Sequence, residues 1–328
     1  MNDPAVEQNR RGNIVKIAVV MSTYNGEKYV EEQLESILNQ KLGDIELKIY
    51  VRDDGSTDRT TEILSKYAEE GKLVFINKDK IENLRVQKSF LSALKYAFDD
   101  SDADYFAFAD QDDVWREDKL KRAIDLLEKE SDNGKGKLYY SNKTFVDAEL
   151  NFISEHKIVY YGDIMEALWT SQAFGCTMVF DRKLTEICLR YHPTTTILHD
   201  SWVYHVSKFI GSVIVFDESS YILYRQHGNN EIGMEGTKLY HDSVLYWIIH
   251  GIPVIFHKHS HGKQKYIVEV YKDYYELIPE ENRKYAEYIA RYRTDPAAKY
   301  HLIHNKYMKK RTPKSRAIWR YIIVFNRL

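Results

Sequence analysis

The sequence predicts an α/β fold centred on a parallel sheet, and three observations carry that prediction. Over roughly the first 115 residues, short β-branched or aromatic runs alternate with segments whose apolar residues recur every three or four positions. Alternation of this kind calls for right-handed crossover connections, which leave the strands parallel. Three of the strand runs also end in polar or acidic clusters: Thr23-Tyr24-Asn25, Asp53-Asp54-Gly55-Ser56 and Asp110-Gln111-Asp112. The carboxyl ends of parallel strands share one sheet edge, where open α/β sheets bind their ligands. The three clusters are therefore expected to converge on one site.

The first strand is expected from Ile14 to Ser22, a β-branched run suited to a buried position. Thr23-Tyr24-Asn25-Gly26 supplies turn chemistry, and Glu27 to Gln40 carries Tyr29, Val30, Leu34, Ile37 and Leu38 at helical spacing. Leu47 to Val51 reads as the second strand. A helix from Arg59 to Glu70 follows, with Ile63, Leu64 and Tyr67 as its apolar stripe and Ser56 or Asp58 as its cap. A third strand is expected at Leu73 to Ile76 and a helix from Gln87 to Phe98, with Phe90, Leu91, Leu94 and Ala97 inward. Tyr105 to Ala109 is an uninterrupted apolar run, read as a strand buried on both faces.

Beyond it, strands are expected at Lys137 to Ser141, Phe174 to Phe180, Val213 to Phe216 and Tyr221 to Tyr224. In the second of these, Gly175 permits close approach of another chain segment. Helices are expected from Asp181 to Tyr191, ended by His192-Pro193, and from His199 to about Phe209. Glu231 to Lys238, with two glycines and few apolar residues, reads as a loop. From about Lys263 the composition turns to Tyr, Lys and Arg with helical periodicity. His301 to Leu328 contains no acid and carries an apolar patch around Trp319 and Tyr321 to Phe325.

Composition narrows the class. The chain has 328 residues, 44% hydrophobic and 29% charged, with a net charge of −2, so it is an ordinary globular sequence without a nucleic-acid signature. Cys176 and Cys188 are the two cysteines and imply no disulfide framework, which fits a reducing cytosol. Met1 to Asn13 is polar and is expected to be a disordered tail rather than a signal peptide. No apolar run approaches the length of about 20 residues that spans a bilayer. A location inside the cell is expected.

The acids after Ala109 admit two readings from their residues alone. Three carboxylates in four positions repel one another unless a cation, such as a hard divalent ion with oxygen ligands, neutralises them. Alternatively, Asp112 or Asp113 caps a helix starting near Glu117.

Taken together, Val19 to Gly26, Val51 to Asp58 and Asp110 to Trp115 resemble the motifs of family 2 glycosyltransferases with the GT-A fold. The likeness continues through Phe174-Gly175-Cys176-Thr177-Met178, His199-Asp200-Ser201-Trp202 and Tyr224-Arg225-Gln226-His227-Gly228-Asn229-Asn230. It covers Ile14 to Asn230, and the last set is most similar to the bacterial rhamnosyltransferase branch that builds cell-wall, capsular and O-antigen polysaccharides.

The resemblance implies a Rossmann-like mixed sheet in a catalytic domain over residues 14–235. Its nucleotide-binding half would span 14–115 and its acceptor-binding half 116–235, with a helical, basic extension over 236–328. It implies an inverting, metal-dependent transfer of L-rhamnose from dTDP-rhamnose to a growing, lipid-linked cell-surface polysaccharide. By the resemblance, Asp200 is the catalytic base. Thr23, Tyr24, Glu27, Asp54, Lys88 and Asp110 contact the nucleotide, and Asp112 and His227 hold Mg²⁺ or Mn²⁺. Arg225, Asp113 and Trp202 serve the diphosphate or the acceptor.

Two positions depart from the family's pattern. His199 stands where a Glu is common, and Asn83-Leu84-Arg85 replaces Asn-x-Gly. The Arg would either add a phosphate contact or mark a turn that tolerates a side chain. The basic tail has two readings as well: a peripheral contact with the inner face of the cell membrane, or an amphipathic helix packed on this domain or on a dimer partner.

A UDP-hexose donor is an alternative within the fold. A non-catalytic nucleotide-sugar-binding subunit of a polysaccharide assembly complex is an alternative of another class. A sugar-phosphate nucleotidylyltransferase would open with a glycine-rich basic loop, where this chain has Ser22-Thr23-Tyr24-Asn25.

Overall fold

The computed structural model describes residues 14–80, 82–165, 173–194, 197–227 and 262–326. The expected N-terminal tail, Gly228-Asn229-Asn230, the loop Glu231 to Lys238 and the 235/236 boundary lie outside the described residues.

Four strands form the parallel half of the sheet: β1 (Val15–Thr23), β2 (Ile45–Asp53), β3 (Val74–Phe75) and β4 (Tyr105–Ala109). They are joined by the helices α1 (Val30–Leu38), α2 (Thr60–Glu69) and α3 (Arg85–Asp100), in the order β3-β2-β1-β4 across the sheet. The register aligns Thr23 with Asp53 and Met21 with Ala109, so the three polar strand ends share one edge, as the alternation requires. β4 is buried at every residue.

The remaining strands make the sheet mixed. After β5 (Val114–Trp115) and helix α4 (Lys119–Lys129) come β6 (Lys137–Val146), β7 (Phe152–His156), β8 (Val179–Asp181), helices α5 (Arg182–Leu189) and α6 (His199–Ile210), and β9 (Val213–Arg225). The order continues β4-β8-β6-β9-β5, with β8 antiparallel to β4 and β5 antiparallel to β9.

Several expected elements change. Of the Phe174 to Phe180 run only Val179 and Phe180 are strand, which continues to Asp181, and Gly175–Thr177 forms a 3₁₀ turn that drops Gly175 and Cys176 beside the end of β4. The two strands expected at Val213 to Phe216 and Tyr221 to Tyr224 are one, because irregularities in its pairing with β6 let it bend and continue. The helix-cap reading of Asp112 and Asp113 fails: α4 begins at Lys119, and these acids sit in the tight connection between β4 and β5.

The C-terminal helices α7 (Gly262–Asp273), α8 (Glu280–Arg291), α9 (Pro296–Ile303) and α10 (Pro313–Val324) share one hydrophobic cluster with α3, α5 and α6. Tyr266 bonds His205 of α6 at 2.8 Å, and Arg311 pairs with buried Asp163 at 2.6 Å. Trp319 is fully buried and donates its indole N–H to Leu302 O at 2.7 Å. The apolar patch of the basic tail is thus largely packed inside this chain. No helix among the described residues is long and apolar enough to cross a membrane.

Candidate active site

The loops after β1 and β2 build a rim from reciprocal hydrogen bonds. Asp53, fully buried, accepts from Thr23 Oγ1 at 2.9 Å, Gly55 N at 3.0 Å and Ser56 N at 2.8 Å. Asn25, in left-handed backbone at φ 48°, accepts from Thr57 N at 2.8 Å. Gln111 clamps the first loop from across the sheet, accepting from Tyr24 N at 2.9 Å and donating to Tyr24 O at 3.0 Å. A Cβ at Gly26 would come within 2.3 Å of the Gln111 carboxamide oxygen, so this contact requires glycine.

Asp54 lies at the mouth of this rim. Its Oδ1 pairs with Arg52 at 2.6 Å and accepts from Leu84 N at 2.7 Å, while Oδ2 has no partner among the described residues. Beyond Leu84, Arg85 adopts φ 66°, a conformation that costs a non-glycine residue energy and concentrates at functional sites. Its side chain lines the cleft.

The floor comes from the β4–β5 connection and the head of α6. Asp110, Gln111 and Asp112 line a cleft of about 580 Å³, together with Thr23, Tyr24, Asp54, Gly175, Cys176, His199 and Asp200. That volume suits a small-molecule ligand. Asp110 is lifted to about 7, first by lost hydration and then by the charges of Asp112 and Asp200. Asp200 sits in the first turn of α6, where Gly175 N at 3.1 Å and Ser201 N hold its two oxygens. β8 runs back alongside β4, which sets the Gly175 turn beside both acids.

Adjacent acids then part ways. Asp112 meets His227 at 2.7 Å between Oδ2 and Nε2, and both remain partly open. Asp113 is fully buried, accepts weakly from Arg225 N at 3.3 Å, and is pushed well up by burial and by Asp112 and Asp110. The antiparallel pairing of β5 with the end of β9 makes both contacts possible. Beneath them, Lys143 is 1% exposed with its ammonium 3.4 Å from the ring centre of Phe174 and 3.5 Å from that of Tyr224. Burial lowers its pKa, and the acids around it oppose that shift.

Two groups could hold a divalent cation. Asp110, Asp113 and Cys176 offer ligand atoms within 4.8 Å of one another, but burial holds the thiol protonated and keeps Asp113 away from the cleft. A hard cation prefers oxygen and imidazole ligands that face its anionic partner. Asp112 lines the cleft and His227 lies 2.7 Å from it, so this pair is the better match.

Four expected site residues belong elsewhere. Trp202 is fully buried in the core and donates to Cys188 O at 3.1 Å, so it meets neither diphosphate nor acceptor. Arg225 is 2% exposed, and its guanidinium is engaged by Glu32, Ala148 O and Asp112 O, which leaves it a structural pin. Glu27 is turned away from the cleft and accepts from Arg59 N at 3.0 Å, just ahead of α2. Lys88 is exposed on α3 and does not line the cleft, because the helix turns Ser89 and Phe90 inward instead. Of the residues not assigned from the sequence, Lys143 had a detectable signal, a Lys in the interior of a strand whose other charge, Lys137, stands at its start. The clamp by Gln111 had none beyond its place in the motif.

Comparison with known proteins bears on the family and the fold. The family model described as glycosyl transferase family 2 matches residues 18–188. The chain is 31% identical over 222 residues to dTDP-rhamnosyl transferase RfbG of Shigella flexneri, covering 65% of this chain and 73% of that one. It is 32% identical over 120 residues to poly(ribitol-phosphate) beta-N-acetylglucosaminyltransferase TarS of Staphylococcus aureus, covering 35% of this chain and 19% of that protein. An uncharacterised glycosyltransferase of Nostoc is likewise matched over only 33% of its length. The crystal structure of residues 1–349 of the Staphylococcus aureus TarS protein with UDP-GlcNAc superimposes with a TM-score of 0.50, at 17% identity, covering 84% of this chain and 87% of that one.

Proposed function

The chain belongs to glycosyl transferase family 2, and from that premise we propose that it moves a sugar from a nucleoside-diphosphate donor to a hydroxyl of a growing cell-surface polysaccharide, with inversion at the anomeric carbon. What supports the reading most is the position of Asp200, a carboxylate oriented by two backbone N–H groups in the wall of the cleft that Asp54 and Asp110 also line. Asp200 takes the proton of the acceptor hydroxyl as that oxygen attacks the anomeric carbon from the face opposite the diphosphate. One base suffices, because no covalent sugar–enzyme intermediate forms.

The rim takes the nucleotide: Asp54 Oδ2 accepts the ring N–H shared by uracil and thymine, and Thr23 and Tyr24 border the nucleoside. Arg85 faces the diphosphate from its strained position. A divalent cation held by Asp112 and His227 would neutralise the charge that builds on the leaving diphosphate. Lys143 lies below as a fixed internal cation that limits repulsion among Asp110, Asp113 and Asp200.

L-Rhamnose from dTDP-rhamnose is the donor in this reading. The likeness to the Shigella protein supports it, and so does the apolar wall of Val86, Phe90, Phe174 and Leu198, which suits the methyl group of a 6-deoxysugar. A UDP-hexose donor is the second reading, favoured by the Staphylococcus relative. Exposed Lys309, Lys310 and Arg320, with Phe325 59% exposed nearby, would bring the enzyme to the anionic inner face of the cell membrane and to a lipid-linked acceptor. Donor hydrolysis and transfer, compared for dTDP-rhamnose and UDP-hexoses with Mg²⁺ or Mn²⁺, tests the reading. Turnover of dTDP-rhamnose is expected to be fastest; turnover of UDP-hexoses alone would replace the donor assignment, and turnover of neither would overturn the function.

A further inference from the structure

We infer that His199 binds a hydroxyl of the donor sugar and so helps to decide which sugar the cleft accepts. The inference rests on the nucleotide-sugar reading of the cleft and extends it to a residue outside the nucleotide, metal and base assignments. His199 lines the cleft yet is only 5% exposed, and neither ring nitrogen has a hydrogen-bond partner among the described residues. An unpartnered buried polar group is costly, and native proteins keep few of them without a use.

The ring is also held rigidly. It stacks on Phe90 with centroids 3.8 Å apart and planes at 13°, and it meets Phe108 edge-on at 4.7 Å. Gly175 stands in front of it. A Cβ on Gly175 would lie 2.8 Å from His199 Nε2, closer than carbon and nitrogen can pack, so any other residue here would cover that nitrogen. Glycine keeps this side of the ring free of a side chain.

Chemistry narrows the occupant. Burial lowers the His199 pKa to about 4, so the ring is neutral and offers one N–H and one lone pair. That set matches a hydroxyl, which donates and accepts, better than a phosphate oxygen, which only accepts. Direction narrows it further. Successive helix residues point about 100° apart. Both His199 and Asp200 meet Gly175, but the His199 ring is stacked on Phe90 of α3 and edge-on to Phe108 of β4, the wall of the nucleotide half. The hydroxyl belongs to the donor.

The test is the affinity that the sugar adds to its nucleotide. Calorimetry on the full chain would give Kd for dTDP and dTDP-rhamnose, and for UDP and UDP-N-acetylglucosamine, in wild type, His199→Phe and His199→Gln. The ratio is read on whichever pair shows the larger sugar gain in wild type. His199→Phe keeps the stacking, and a melting temperature no lower than wild type is expected for it. Its affinity for the nucleoside diphosphate should stay unchanged while the sugar gain falls roughly tenfold, and Gln should restore part of the gain. A merely structural histidine would leave that ratio alone. An unchanged ratio in His199→Phe overturns the inference, including when transfer slows, because the hydroxyl would then be the acceptor's. Failure of wild type to bind either nucleoside diphosphate overturns the nucleotide-sugar reading itself.

Discussion

After β2, Asp53 has its oxygens taken up by Thr23, Gly55 and Ser56; after β4, Asp110 faces the like charges of Asp112 and Asp200 and is lifted to about 7. The rim and the floor of the cleft thus draw on the same residue types for opposite purposes. In the rim, carboxylates and amides satisfy one another and fix the shape of two loops before a ligand arrives. On the floor, acids crowd together with Lys143 among them as an internal cation, and the proposed divalent cation would relieve the remaining repulsion. A motif acid's value to folding and its value to function are thus separated by how many internal partners it has. Substitution of Asp53 should register as lost stability, and of the floor acids as lost activity.

The largest expected effect is on the floor. Asp200→Asn should slow transfer by about 10²–10⁴-fold with little change in melting temperature, measured with the donor found active in the screen. Full activity in that variant would remove Asp200 from its role as base. In the rim, Asp53→Ala should cost roughly 3 kcal/mol of unfolding free energy, since several charge-assisted bonds are lost and buried donors left unpaired. Urea titration reads this directly. A stable Asp53→Ala protein with abolished nucleotide binding would reverse the assignment of Asp53 to the scaffold.

Acid should sharpen the same contrast. His199 titrates near 6.5 when unfolded and near 4 in the folded protein, because burial excludes its charge. Below pH 6.5 the unfolded chain takes up a proton that the folded protein refuses. This contribution is fully present above pH 6.5 and is lost as pH falls towards 4, by on the order of 3 kcal/mol. His156, lowered to about 4 mainly by burial, acts in the same direction. Unfolding free energy measured from pH 7 to pH 4 should therefore fall less steeply in His199→Phe. Equal slopes for the two proteins would show that His199 carries a proton in the folded state.

Local chemistry was legible in the sequence wherever it decided the structure. β1, β2 and β4 and the helices after them follow from periodicity, and convergence of their polar ends follows from parallel topology. Pairings between distant segments were not legible. The short β5 joins the end of β9, which turns Asp112 towards His227 and buries Asp113 against Arg225, and nothing local signals that choice. Side-chain direction was equally hidden. Trp202 and Asp200 are two residues apart on one helix, yet Trp202 fills the core while Asp200 reaches the cleft. Arg225 looked like a phosphate ligand by charge, but Glu32, 193 positions away, claims it. The basic tail looked interfacial by pattern, although Trp319, Ile322 and Ile323 pack inward.

The central claim is that the cleft binds a nucleoside diphosphate with a cation held by Asp112 and His227. Calorimetric titration of dTDP and UDP into wild type and Asp112→Asn, each with Mn²⁺ and with EDTA, tests it most directly. Binding at least about tenfold tighter with Mn²⁺ is expected in wild type, with loss of that gain in Asp112→Asn and the EDTA affinity unchanged. Equal wild-type affinity with Mn²⁺ and EDTA, or a gain that survives in Asp112→Asn, would contradict it.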